Sequence, residues 1–253
     1  MDLFAKKRTR EEFSLDGIRK IELCGFNGSI HWLPVEGAGP CIIVEKEARA
    51  LNSATVDELL GELRVENTIS QGKMVLKVAK PTRSSGFASA QVSFKVQASP
   101  DQIEEFSAQT TNGTISLAVD FKGKLDLTTA NGRIELQSCQ GQVNATTSNG
   151  RIFFGKLILE ESSALRTSNG RIEGQAEFLG DGHYLFETSN GSLELRIPHA
   201  SAGSFRATTS NGKVTFAVGE KQAYGGRQFF IERSTGPSVR LATSNGNISV
   251  LGY

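Results

Sequence analysis

The sequence predicts an all-β chain: an elongated β-solenoid (β-helix-like) with about 20 residues per coil and a less regular N-terminal part. Three observations lead there. A core of the form Thr-x-Asn-Gly-x-Ile-x-Leu recurs, with Asn-Gly pairs starting at Asn112, Asn131, Asn149, Asn169, Asn190, Asn211 and Asn245, and an earlier one at Asn27. Subtracting consecutive Asn numbers from Asn112 onward gives 19, 18, 20, 21, 21 and 34, so the turn returns at nearly constant length. Apolar and polar residues alternate on both sides of that turn, which is the period-two pattern of a half-buried strand.

The register is specific. Six, four and two places before the Asn stand Leu125/Leu127/Thr129, Val143/Ala145/Thr147, Tyr184/Phe186/Thr188 and Val239/Leu241/Thr243. Three and five places after it stand Ile134/Leu136, Ile152/Phe154, Leu193/Leu195 and Ile248/Val250. The inward parity slips by one residue across Asn-Gly. A two-residue hairpin produces that slip, and so does the corner of a solenoid coil; the dipeptide alone does not separate them. Unit length and likeness between units favour the solenoid, in which equivalent side chains lie rung on rung about 4.8 Å apart. There the seven later asparagines form a ladder that passes amide hydrogen bonds along the stack. The simpler alternative is that Asn and Gly are present for the positive φ of a turn.

In chain order, residues 1–17 are expected to be a flexible or capping terminus. Its basic cluster Lys6-Lys7-Arg8-Thr9-Arg10 runs directly into Glu11-Glu12 and reads as solvated and frayed. Residues 18–105 form a β-rich part in which Asn27 starts the stack, with Ile21 and Leu23 before it and Ile30 and Trp32 after it. A loop over residues 34–40 and a β-branched run at 41–44 follow. A short helix is expected near residues 55–63, since Thr55 and Glu58 have capping-box spacing, and strands resume at 73–78 and 91–96. Residues 106–253 form the Asn-Gly solenoid, continuous with the preceding part. The 34-residue gap exceeds one unit by about 14, and residues 219–234 are expected to fold back as the cap a solenoid requires. The last repeat, close to Tyr253, is expected to end the stack with backbone groups open to end-to-end self-association.

Composition narrows the functional classes. Lys plus Arg minus Asp plus Glu is 28 minus 27, a net charge of +1, against the strongly basic field of a nucleic-acid binder. No stretch approaches the roughly 20 apolar residues of a membrane span, and the start lacks the apolar core of a signal peptide. On that basis the expected location is cytoplasmic. Cys24, Cys41 and Cys139 are odd in number and far apart, so no disulfide framework is expected.

The segment Ile18-Arg19-Lys20-Ile21-Glu22-Leu23 leading to Asn27-Gly28-Ser29-Ile30, then a short acidic helix, then serial Thr-x-Asn-Gly-x-Ile units, resembles the bacterial DUF4097 family of adhesin-like repeat proteins of unknown function. The resemblance runs from about Ile18 to the end. It implies a β-helix-like repeat fold and an association with the cell envelope, with no established chemistry.

Catalytic and cofactor signals are weak. Asp120, Asp126 and Asp181 share no offset; Glu135, Glu173 and Glu194 share the fourth place after the Asn and read as a salt-bridged face. His31, His183 and His199 have no zinc-ligand spacing, so neither a metal nor a cofactor is expected. One outward feature suggests a ligand. Arg133, Arg151, Arg171 and Lys213 occupy the second place after the Asn, beside serines at Ser148, Ser168, Ser189, Ser210 and Ser244. Stacked, they make a basic stripe next to a hydroxyl stripe, suited to an anionic polymer or glycan; the plainer reading is that each arginine pairs with a neighbouring glutamate. The expected function is a non-enzymatic scaffold or binding surface with a polysaccharide or protein partner. The alternatives are a carbohydrate-active β-helix enzyme and a self-assembling structural protein.

Overall fold

Each repeat presents an apolar edge on both sides of its Asn-Gly corner, and two such strands bury that edge only if the next repeat stacks on them. In the computed structural model, which describes residues 4–34, 39–79 and 88–253, the repeats do stack. Among the described residues twenty-one strands form one continuous sheet wound into two faces; the main hydrophobic core runs between them from Leu15 to Val250, and a second small cluster lies under the helix. Residues 18–105 and the repeats share that core.

The strands in order are β1 (Ala5–Ser14), β2 (Lys20–Cys24), β3 (Ile30–Leu33) and β4 (Cys41–Ala50), then helix α1 (Ser53–Glu62), β5 (Val65–Ser70), β6 (Lys73–Val78) and β7 (Ser89–Gln97). The repeats supply β8 (Glu105–Thr110), β9 (Ile115–Thr129), β10 (Ile134–Thr147), β11 (Ile152–Leu159), β12 (Ser163–Asn169), β13 (Ile172–Phe178), β14 (His183–Asn190), β15 (Leu193–Ile197), β16 (Ser204–Asn211) and β17 (Val214–Val218). Then come β18 (Lys221–Gly226), β19 (Gln228–Ile231), β20 (Ser238–Asn245) and β21 (Ile248–Gly252).

Strands leading into the corners form an entry face ordered β5-β6-β2-β8-β9-β10-β12-β14-β20-β16-β19. Strands leaving them form an exit face ordered β1-β4-β7-β3-β9-β10-β11-β13-β15-β21-β17-β18. The long strands β9 and β10 serve both. Every coil-to-coil pairing is parallel, and antiparallel pairs occur only at the ends of the stack.

Spatial order departs from chain order at both ends. The β2–β3 coil lies between the β6–β7 and β8–β9 coils. The last repeat, β20–β21, lies between the Asn190 coil and the Asn211 coil. This corrects the expectation that the last repeat ends the stack: both its strands are paired on both sides. The Asn211 coil is outermost instead, and the extra residues behind the 34-residue gap fold onto it, β18 along β17 and β19 along β16.

The N-terminal end shows two further differences. The basic cluster is not frayed, since β1 pairs along its whole length with β4, Lys7 reaches Asp57, and Lys6 reaches Glu47. The helix begins two residues earlier than expected, because Asn52 is its cap and accepts from the Thr55 backbone N–H at 2.8 Å. Asn is as good an N-cap as Ser or Thr, and it displaces the Thr55/Glu58 capping box. Val56 and Leu59 then seat α1 on Ala48 and Ala50 of β4. Of the loop expected at 34–40, residues 35–38 lie outside the described residues.

The corner glycines explain why coils stack so closely. A Cβ on Gly150 would collide with the carbonyl of Gly132, and the same relation repeats from Gly113 to Gly246. Gly150→Ala is therefore expected to lower the free energy of unfolding by about 1–3 kcal/mol through overpacking. Gly61→Ala, at an exposed position of α1 with open space around it, is expected to raise it by about 0.5–1 kcal/mol. Urea titrations of both variants test this, and a tolerated Gly150→Ala would remove the close-contact account.

Candidate binding face at the Asn-Gly corner

The threonine two places before each Asn points inward and is buried, so its hydroxyl needs a partner. It finds one in the neighbouring coil. Thr110, Thr129, Thr147, Thr167, Thr188, Thr243 and Thr209 donate to the carbonyls of Gly28, Gly113, Gly132, Gly150, Gly170, Gly191 and Gly246 at 2.8–3.0 Å. The asparagines do the same outside. From Asn112 onward each Nδ2 donates to the Oδ1 of the Asn before it in space, through Asn27, Asn112, Asn131, Asn149, Asn169, Asn190, Asn245 and Asn211, at 2.5–2.9 Å. Positive φ does not account for the dipeptide. Among these eight asparagines only Asn27 has it, and none of the corner glycines does.

On one side of the ladder, Ser148, Ser168, Ser189, Ser244 and Ser210 stand in consecutive coils, all exposed. On the other side the structure brings Arg133, Arg151 and Arg171 together but not Lys213. Two coils intervene: the Asn190 coil, which has Ser192 at this place, and the inserted last repeat, which has Asn247. Each of the three arginines already meets carboxylate. Glu135 lies 3.3 Å from Arg133 and 3.1 Å from Arg151, while Glu173 lies 3.9 Å from Arg151 and 3.2 Å from Arg171. Glu194 lies 3.6 Å from Arg171. The Glu173 carboxylate, with Glu194 behind it, holds the Arg171 guanidinium above its ordinary pKa. This row is charge-balanced.

Beside it the exit face carries a groove of about 400 Å³, lined by Phe153, Gly155, Gly174, Glu194, Arg196 and Leu251 among others. Phe153 stands on an outward position between Glu135 and Glu173 and is 40% exposed; Leu251 at the far side is 42% exposed. The floor is bare because a Cβ at Gly155 or Gly174 would collide with the neighbouring backbone. Arg151 sits over the Phe153 ring, 5.7 Å from its centroid, within cation–π distance. Sequence reading had one usable signal here: Phe153 is a large aromatic at an outward offset. Arg196 and Leu251 were not recoverable, since their adjacency depends on the inserted last repeat.

Farther along the same row, His31 Nδ1 lies 2.6 Å from the Ser116 hydroxyl. Burial first, and the Lys95 charge second, push the His31 pKa below 6.5, with Glu135 opposing weakly. Cys139 is inert in the core, its thiol pushed up to about 12 by burial. Among the described residues no group of three or more His, Cys, Asp or Glu is placed to hold a metal, and no helix is long and apolar enough to cross a membrane.

The His31 shift has a stability consequence. The unfolded chain takes up a proton near pH 6.5 and the folded chain only below it, so this contribution is present above pH 6.5 and is lost as pH falls. Between about pH 7.5 and about pH 5.5, His31→Gln should lose less stability than the parent chain. Thermal melts across that range check it, and parallel losses would refute it.

The profile of the DUF4097 family, described as Toastrack, matches residues 46–251. No curated protein is similar to the chain. Similar solved structures include a candidate cell adhesion protein from Clostridium sporogenes, 12% identical over 98% of this chain and 100% of that one, with a TM-score of 0.35. A candidate adhesin from Bacteroides fragilis is 10% identical over 98% of both chains, with a TM-score of 0.43. A candidate lipid binding protein from Parabacteroides distasonis is 12% identical over 96% of both, also at 0.43.

Proposed function

The chain belongs to the DUF4097 (Toastrack) family, and from that premise we propose that it is a non-enzymatic, adhesin-like scaffold whose exit-face groove binds a polysaccharide chain. The observation that carries this reading is the exposed Phe153 ring beside a glycine floor, with carboxylates and Arg196 around it. The apolar face of a pyranose stacks on such a ring, while its hydroxyls take hydrogen bonds from guanidinium and give them to carboxylate. The laddered corner adds rigidity, so little conformational entropy is lost on binding. An envelope setting belongs to the same reading, because that is where such polymers lie.

Affinity electrophoresis through gels containing neutral or acidic polysaccharides tests it. Phe153→Ala should weaken binding about tenfold, the equivalent of 1.4 kcal/mol, with unfolding unchanged because the ring is exposed. Equal mobility of variant and parent in every gel would discard the groove.

One observation favours a hydrolytic reading: Glu173 and Glu194 lie in register on neighbouring strands in that groove. A glycosidase needs one of its two carboxyls protonated as the acid. Arg171 contacts both, at 3.2 and 3.6 Å, so each carboxylate is already engaged in an ion pair. Reducing-end assays on bound polysaccharide are expected to show no release by the parent chain. Release that Glu173→Gln abolishes would establish an enzyme instead.

A further inference from the structure

We propose a second site, on the entry face at the capped end of the stack, that binds the sulfate or carboxylate groups of an acidic polysaccharide through Arg206, Arg240 and Arg233. It lies on the opposite face from the Phe153 groove and does not depend on that reading.

The key feature is an uncompensated pair of like charges. Arg206 and Arg240 are direct partners on neighbouring parallel strands, both pointing outward. Like charges directly opposite each other destabilise a sheet. Elsewhere on this molecule such a row is neutralised, as Glu135, Glu173 and Glu194 neutralise Arg133, Arg151 and Arg171. Here, among the described residues, none of Arg206, Arg240 and Arg233 makes an ion pair, and the nearby Glu187 is engaged by Arg166 at 3.5 Å.

The surroundings order these cations. Across the sheet the row reads Leu185, Arg240, Arg206, Phe230, so apolar side chains flank both guanidinium groups and limit their screening by water. Arg206 lies 5.0 Å from the Phe230 ring centroid, which restrains the guanidinium plane. Arg233 is fastened at its backbone: its N–H donates to the Ser204 hydroxyl at 2.9 Å, and that hydroxyl donates to the Arg233 carbonyl at 3.1 Å. Together they line a groove of about 400 Å³ in which Glu232 is the one carboxylate, leaving three positive charges against one negative.

Guanidinium groups in this setting recognise oxyanions by paired N–H bonds. A concave slot admits a polymer strand carrying such groups, whereas a bilayer offers its headgroups to flat or convex surfaces, and the exposed ring of the groove, Phe230, lies under Arg206 rather than free to insert.

Binding of the full chain to dextran sulfate, polygalacturonate, uncharged dextran and phosphatidylglycerol vesicles tests the proposal. The parent chain should bind one of the acidic polymers well above dextran, with affinity falling as salt rises. Arg206→Ser/Arg240→Ser should lose at least about tenfold, while Arg133→Ser, outside the Phe153 groove, should stay within about twofold because that arginine is already neutralised by Glu135. Without ligand, Arg206→Ser/Arg240→Ser should unfold cooperatively in urea at low salt with a midpoint no lower than the parent's, since a like-charge contact is relieved; this also shows that the variant folds. Undiminished binding by the Arg206/Arg240 variant, equal binding to dextran, or preference for vesicles over every polymer would each overturn it.

Discussion

At every corner of this molecule a glycine carbonyl lies so close to the glycine of the next coil that no side chain fits between them, and a buried threonine hydroxyl closes on that carbonyl. The two contacts act together. The missing Cβ lets the strands approach, and the hydroxyl satisfies a carbonyl that would otherwise sit unpaired at the bend between the two faces. An unpaired buried carbonyl costs about 1–3 kcal/mol, so neither residue of the pair is dispensable alone. The asparagine ladder on the outer side repeats the arrangement in the amide plane. Register is thereby locked, and a slip of one residue would turn every core side chain outward.

A locked register turns each outward offset into a column, and the function of a column depends on its charge balance. At the second place after the asparagines, three arginines alternate with the glutamates of the adjoining column and close on themselves. On the opposite face, Arg206 and Arg240 meet with no carboxylate between them. Both are exposed arginine rows, yet only the second keeps an unsatisfied field for an anion. The groove beside Phe153 is a third case, in which two glycines forced by backbone proximity leave a hollow that larger residues would fill.

Much of the fold was legible in the chain. Asn-Gly spacing located the corners, period-two alternation identified the buried edges, and the surplus between Asn211 and Asn245 pointed to the fold-back strands β18 and β19. The helix cap was misplaced because Asn52 and Thr55 are both good caps and only backbone geometry chooses between them. Lys213 was grouped with Arg133, Arg151 and Arg171 because equal offsets imply a common column but not a common neighbour. The two grooves were less legible still, as each is lined by residues from coils that are distant in sequence.

The amino-acid sequence by itself determined the period, the inward and outward sides of every strand and the residue types that make close stacking possible, because these depend on chemistry repeated within a single unit. Only the tertiary structure decided the order of the coils. The last repeat entered between the Asn190 and Asn211 coils because any unit with this corner fits any other. Interchangeable units carry no local mark of their position, so which charges meet, and which remain unpaired, was settled by the path of the chain through the stack.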